Sequence, residues 1–293
     1  MAFKIITDSA SDIPKSVIEE YELYVMPTPV TIEGKDYFDG KTIFPDQFYD
    51  IQASGKEIKT YHINQYMFYE HFLPFAQRED EVLYICFSTG IAGTFNAANL
   101  AYQEILEEHP DFKLTIIDSK CASVGYGLVV EKLLRMQKKG APKELILEAA
   151  EFFCSHMEHT FTVMELDYLF KGGRLSRTSF LAGTVLDIKP IIIIDENGSL
   201  KAVEKVRGWK KAQKRILDMV GEKGSNLENQ VVGACYGTDT EAFEYIKEQL
   251  RERYHVKGIL ETRVGCAIGA HTGPGIVAIT FLNETNDKFD AYL

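Results

Sequence analysis

The residues best suited to hold an anion run from Phe87 to Thr94: Phe87-Ser88-Thr89-Gly90-Ile91-Ala92-Gly93-Thr94, between an apolar run and a helical pattern. A helix N-terminus at that point offers unpaired N–H groups and a partial positive charge. Gly90 and Gly93 let backbone approach a ligand, while Ser88, Thr89 and Thr94 add hydroxyl donors. The same residues also serve as ordinary helix caps, and this segment alone does not choose between the two uses. It lacks the Gly-Lys-Ser/Thr ending of a P-loop and the GxSxG of a nucleophile elbow, so anion binding is favoured over nucleotide hydrolysis.

Four further segments carry groups of interest. Asp118 to Gly127 contains GxG without a third glycine at dinucleotide spacing, and close helix–strand packing explains its glycines as well. Leu166 to Arg174 ends in a tight turn, Lys171-Gly172-Gly173-Arg174, bearing two cations. Lys205-Val206-Arg207-Gly208 closes a strand, and the glycines of Gly269 to Gly275 are expected to project His271 from a rigid loop. His156 and His159 form an HxxH pair with no third ligand at a set spacing, which reads as a surface helix end and leaves no metal site. Asp8 and Asp118, both at strand ends, read as caps. No catalytic pair of residues emerges.

The elements that position these segments follow from periodicity. Phe3–Thr7, Val82–Phe87 and Leu114–Ile117 are apolar runs, each followed by a small polar turn and a helical pattern. That repetition predicts a parallel sheet with crossover helices. Leu23–Pro29 reads as a further strand, Pro45–Ala53 as a helix, and Lys143 to about Met157 as the helix closing this half. Beyond it, Ile191–Ile194 and Leu200–Val206 flank the hairpin turn Glu196-Asn197-Gly198. Trp209 to Val220 and Glu241 to Arg251 read as helices, with strands at Val231–Tyr236, near Val256 and near Ile276. The expectation is an α/β fold of two domains, residues 1–158 with a three-layer parallel sheet and 159–293 with a mixed sheet.

Bulk properties narrow the function classes. The 293 residues are 45% hydrophobic, enough for two cores, and carry a formal net charge of −11. That balance argues against a nucleic-acid partner. No apolar run approaches the length of a membrane span, and the N-terminal segment lacks a signal-peptide pattern, so a cytoplasmic location and no integral membrane segment are expected. Five widely spaced cysteines with no CxxC pair read as buried thiols.

Taken in order, the segments resemble the DegV family of bacterial fatty-acid-binding proteins over nearly the whole chain. The resemblance rests on Thr7-Asp8-Ser9 with Asp12, Tyr37-Phe38-Asp39-Gly40, Thr60, and Ser88 to Thr94. It continues through Asp118-Ser119 with Ser123, Gly125 and Gly127, then Leu166 to Arg174, Lys189-Pro190, Arg207-Gly208 and His271 to Gly275. It implies a long-chain fatty acid in an apolar tunnel near the domain junction, with no cofactor. It also implies a separate ATP-dependent kinase subunit of the dihydroxyacetone-kinase-like type, which phosphorylates the presented carboxylate to an acyl phosphate for phospholipid synthesis. Ligand contacts implied in this way are Thr60, Ser88, Thr89, Gly90, Ile91, Ala92, Gly93, Thr94 and His271, with Arg174 and Arg207 supplying charge near the carboxylate or contact to the kinase. Two departures stand out: Thr60 continues as Tyr61-His62-Ile63-Asn64 where the family has Ser-Gln-Pro, and Ala92 replaces a common serine. His62 or Thr89, with the Ala92 N–H, is expected to compensate. The competing readings are a stand-alone enzyme using Ser88 or His271 on a phosphorylated or carboxylate substrate, and a lipid-sensing regulatory protein. A monomer is expected.

Overall fold

Neighbouring residues of a strand point to opposite faces, and the first apolar runs of this chain fill both. The computed structural model describes residues 2–176 and 187–293. Strands β1 (Phe3–Asp8) and β2 (Tyr24–Met26) pair in parallel. The short strands β3 (Pro29–Ile32), β4 (Lys35–Phe38) and β5 (Ile58–Thr60) form a separate antiparallel sheet. Strands β6 (Glu81–Cys86) and β7 (Lys113–Asp118) complete the first sheet in the order β2-β1-β6-β7, all parallel.

Ile5, Leu83 and Ile85 pack with the helices Val124–Lys138 and Lys143–His156 on one side of this sheet. Ile6, Val82 and Tyr84 pack with the helices Gln65–Gln77 and Thr94–Glu108 on the other. The result is the anticipated three layers.

The second sheet is mixed. Its strands are β8 (Met157–Val163), β9 (Ile188–Ile194), β10 (Leu200–Arg207), β11 (Val231–Tyr236), β12 (Gly258–Arg263) and β13 (Ile276–Leu282). They lie in the order β10-β9-β8-β13-β11-β12, with β11 and β12 parallel and the other neighbours antiparallel. Val277, Ile279 and Phe281 of β13 face the helices Trp209–Lys223 and Thr240–Tyr254. The opposite face, with Phe161, Ile192, Cys235 and Ile276, turns toward Val124 at the start of the helix Val124–Lys138. That helix therefore lies between the two sheets.

Three differences from the sequence reading have physical causes. Leu23–Pro29 is not one strand: β2 stops at Met26 and β3 starts at Pro29 in another sheet, because Pro27 and Pro29 cannot donate to a ladder. Strand β8 starts at Met157, so the position 158/159 lies inside a strand of the second sheet. The small β3–β5 sheet docks on the helix Cys266–Thr272, burying Val30, Ile32, Ile43 and Phe48 with Cys266. Two carboxylates tie down the start of that helix: Asp39, just after β4, accepts from the N–H groups of Cys266 and Ala267, both at 3.0 Å, and Asp12, from the segment after β1, accepts from Gly265 N–H at 2.9 Å.

Candidate functional site

In open parallel sheets ligands gather beyond the carboxyl ends of the strands. Here that edge presents Asp8 at the end of β1, Ala10 beyond it and Phe87 after β6 to the inner face of the six-stranded sheet, and a cavity lies between them. It encloses about 920 Å³ of atom-free space, counting its open mouth. Its walls are mostly apolar. Phe87, Ile91 and Ala92 form one side; Phe161, Ile194, Leu200 and Ile276 form the other; Leu169 and Ile268 close it.

Polar groups collect at one end. His271 sits on the helix Cys266–Thr272, not on a glycine-hinged loop, because Cys266 to Thr272 continue as helix and the break falls at Gly273. Its Nε2 lies 2.6 Å from Thr60 Oγ1. Burial, reinforced by the nearby Arg174 charge, holds the His271 pKa down to about 4, so the ring is neutral at pH 7. A hydroxyl bonded to imidazole is the geometry of an activated nucleophile. An imidazole with so low a pKa is a weak base, however, and its buried Nδ1 has no orienting carboxylate among the described residues.

Arg174 reaches this end from the turn after the short helix Asp167–Lys171. Gly173 takes φ +68°, and a Cβ on Gly172 would stand 2.2 Å from His271 Nδ1, so both glycines are needed to bring the turn against His271. The Arg174 guanidinium donates to Gly172 O at 2.5 Å and has no carboxylate partner among the described residues. Desolvation holds its pKa below the usual value. It is the one Lys or Arg on the cavity wall, again among the described residues.

The opposite, inner end is acidic and closed. Asp8 lies on the wall, but its oxygens accept from Tyr84 and Tyr126 hydroxyls at 2.6 and 2.7 Å and from Ala10 N–H at 3.0 Å. Burial raises its pKa, as it does for Asp12, where Asp39 adds to the rise. Asp12 is held by Ser123 Oγ at 2.5 Å.

The residues singled out in the sequence divide in two. Thr60, His62, Ile91, Ala92, Thr94, Arg174 and His271 come together on the cavity wall. Ser88, Thr89, Gly90, Gly93 and Arg207 do not line it. Ser88 is buried and donates to Gly198 O at 2.7 Å, and a Cβ on Gly90 would stand 2.5 Å from Gly198 backbone. These two residues seat the β9–β10 hairpin. Thr89 is exposed and donates to Asp118 through both N–H and hydroxyl. Arg207 is exposed at the end of the edge strand β10. His159 departs most from its reading: it is a buried residue of β8 on the cavity wall, while His156 alone ends the helix and pairs with Asn283. The strand starts one residue after His156, so the HxxH spacing never falls on one helical face. Phe161, Leu169, Ile268 and Thr280 were not legible as wall residues, since wall membership depends on how the sheets pack.

The family described as "Uncharacterised protein, DegV family" matches residues 2–284. The chain belongs to the DegV family. A DegV domain-containing protein of Clostridium perfringens is 33% identical over 97% of this chain and 99% of its own length. Among solved structures, a DegV-family protein from Thermus thermophilus described for its fatty acid binding shares 26% identity and a TM-score of 0.86, covering 96% of this chain and all of the other. A stearic acid-binding protein from Eubacterium ventriosum has 25% identity and a TM-score of 0.87, with 99% of each chain covered. A DegV lipid-binding protein from Thermotoga maritima is similar at 29% identity and TM-score 0.83, covering 98% of this chain and all of the other.

The two departures from the DegV pattern meet in space. His62 lies at the mouth beside the loop carrying Ala92: the Cβ position on Gly93 is 3.4 Å from the His62 ring. The imidazole thus stands beside the Ala92–Gly93 backbone. Thr89, the other residue expected to compensate for Ala92, is committed to Asp118.

Proposed function

We propose that the cavity binds a long-chain fatty acid with its carboxylate at the Thr60–Arg174–His271 end and its chain along the apolar walls. The observation that carries this reading is Arg174, a desolvated cation without a carboxylate partner among the described residues, on the wall of a mostly apolar cavity. A buried charge needs compensation, and a fatty-acid carboxylate supplies it while the tail gains from leaving water. Fatty acid binding, named for the similar structures, supports the ligand class.

The protein binds and does not itself transform its ligand; it presents the carboxylate to a separate ATP-dependent kinase, which forms the acyl phosphate. The low basicity of His271 supports the first part, and the family resemblance supports the second. In this reading Ser88 to Gly90 hold the two sheets together, and His62 takes the place of the missing serine hydroxyl. The chain acts in the cytoplasm, where no helix of the described residues is long and apolar enough to cross a membrane. Titrating delipidated protein with a fluorescent fatty acid, then displacing it with stearate, tests the binding. Saturable, displaceable uptake is expected, and loaded protein should yield acyl phosphate only when a dihydroxyacetone-kinase-like subunit and ATP are added. Absence of uptake, or acyl phosphate formed without the kinase, contradicts the respective part.

A further inference from the structure

The inner half of the cavity is more polar than a plain hydrocarbon chain requires. His159 on β8 and Thr280 on β13 are direct cross-strand partners, so their side chains leave the same face of the sheet about 5 Å apart at Cβ. Both line the cavity, and they are only 5% and 1% exposed. His159 Nε2 faces the Ala122 N–H at 3.4 Å, which places the ring proton on Nδ1. That Nδ1 and Thr280 Oγ1 have no hydrogen-bond partner among the described residues. Buried polar atoms are normally satisfied, and two adjacent exceptions on one cavity wall point to something that binds there.

The backbone around the pair leaves it little room to relax. A Cβ on Gly125 would stand 1.9 Å from His159 Nε2, and one on Gly233 would stand 2.4 Å from Thr280 Oγ1. The helix Val124–Lys138 therefore presses on His159, and strand β11 presses on Thr280. His159 precedes Val163, the end of β8, by four residues, about 13 Å at the strand rise of ~3.3 Å per residue. The chain then leads through the Asp167–Lys171 helix to Arg174. The polar pair thus lies on a different element from the turn that carries Arg174. Burial keeps His159 neutral, with its pKa held down to about 4, so it offers an uncharged donor.

We propose that the acyl chain preferred by this protein carries an oxygen function, a hydroxyl or keto group, part-way along its length. That oxygen accepts from His159 Nδ1–H and hydrogen-bonds the Thr280 hydroxyl. The inference rests on the fatty-acid reading above and adds the substrate class. A saturated chain would leave both groups unpaired, whereas an oxygen in register satisfies them together.

The test is a set of titrations of delipidated protein with stearic acid and with its monohydroxy derivatives, the hydroxyl placed at successive mid-chain positions. One position should bind about tenfold more tightly than stearic acid, the gain of a buried pair of hydrogen bonds over none. In Thr280→Val and in His159→Leu the ratio of the two affinities should fall toward one. Equal affinity for stearic acid and every hydroxy derivative overturns this inference and leaves the fatty-acid reading standing. So does a preference that survives in both variants, because the oxygen is then read elsewhere. Failure of the wild-type protein to take up any of these acids overturns the fatty-acid reading and this inference with it.

Discussion

Replacing Arg174 by leucine separates a ligand-binding cation from a structural one. In the free protein the guanidinium is partly desolvated and is bonded to Gly172 O, with no carboxylate partner among the described residues. Removing it costs the fold one hydrogen bond and relieves the desolvation of a charge, so thermal stability of the free protein should stay level or rise. In the complex the same change deletes a charge-assisted hydrogen bond worth about 1.5–3 kcal/mol. That corresponds to a loss of affinity of roughly 10- to 150-fold. Arg174→Lys keeps the charge without the planar fork and should fall between the two. Isothermal titration with stearate gives the affinity, and a thermal melt of delipidated protein gives the stability. Methyl stearate, which has no charge, should bind wild type and Arg174→Leu alike. Unchanged stearate affinity in the leucine variant would refute the reasoning, as would an affinity loss matched by an equal loss of stability in the free protein.

Other outcomes follow from the same geometry. If His62 stands in for a serine hydroxyl at position 92, His62→Ala should weaken stearate binding about three- to tenfold in the native background and much less beside Ala92→Ser; additive effects would separate the two positions. Gly90→Ala places a Cβ 2.5 Å from Gly198 backbone and should cost about 1–3 kcal/mol, read as a lower urea midpoint; an unmoved midpoint would show that the hairpin is not seated on Gly90. His159 contributes a fall in stability on acidification between pH ~6.5 and ~4, because the unfolded chain there binds a proton that the buried ring, with its pKa near 4, does not; His271 acts in the same sense. His159→Leu should lose that part of the slope, on the order of 1–3 kcal/mol across the window; parallel profiles for the two proteins would contradict the assignment. The raised carboxyls Asp8, Asp12 and Asp39 act in the opposite sense in both proteins, so the difference isolates His159.

The sequence made the layers legible because each apolar run matches its strand to within about a residue at the inner sheet. Val231–Tyr236 and Pro45–Ala53 coincide with their elements, and the Glu196-Asn197-Gly198 turn lies between antiparallel strands as its chemistry demands. The Phe87–Thr94 loop was read for its helix end and its glycines. Its helix end is present at Thr94, but Ser88 and Gly90 serve the contact with the hairpin, a partner more than a hundred residues away that no local pattern announces. His271 was found through its motif, although its placement on a helix was not foreseen. His159 was missed because HxxH draws attention to metal, whereas the alternation of β8, with His159 and Phe161 inward and Thr160 and Thr162 outward, needed the strand's starting point to be seen. Asp12 and Asp39 carry motif positions yet act as ties to the helix Cys266–Thr272, a role that becomes visible only when residues 227 and 253 apart are brought together.

The fatty-acid function stands or falls on what occupies the cavity. Protein purified without added lipid, denatured and extracted into organic solvent, should release fatty acid in stoichiometric amount, identified by mass spectrometry of the organic phase, with an oxygenated chain enriched over its unsubstituted counterpart. A clean extract from protein that also fails to take up added fatty acids would contradict it.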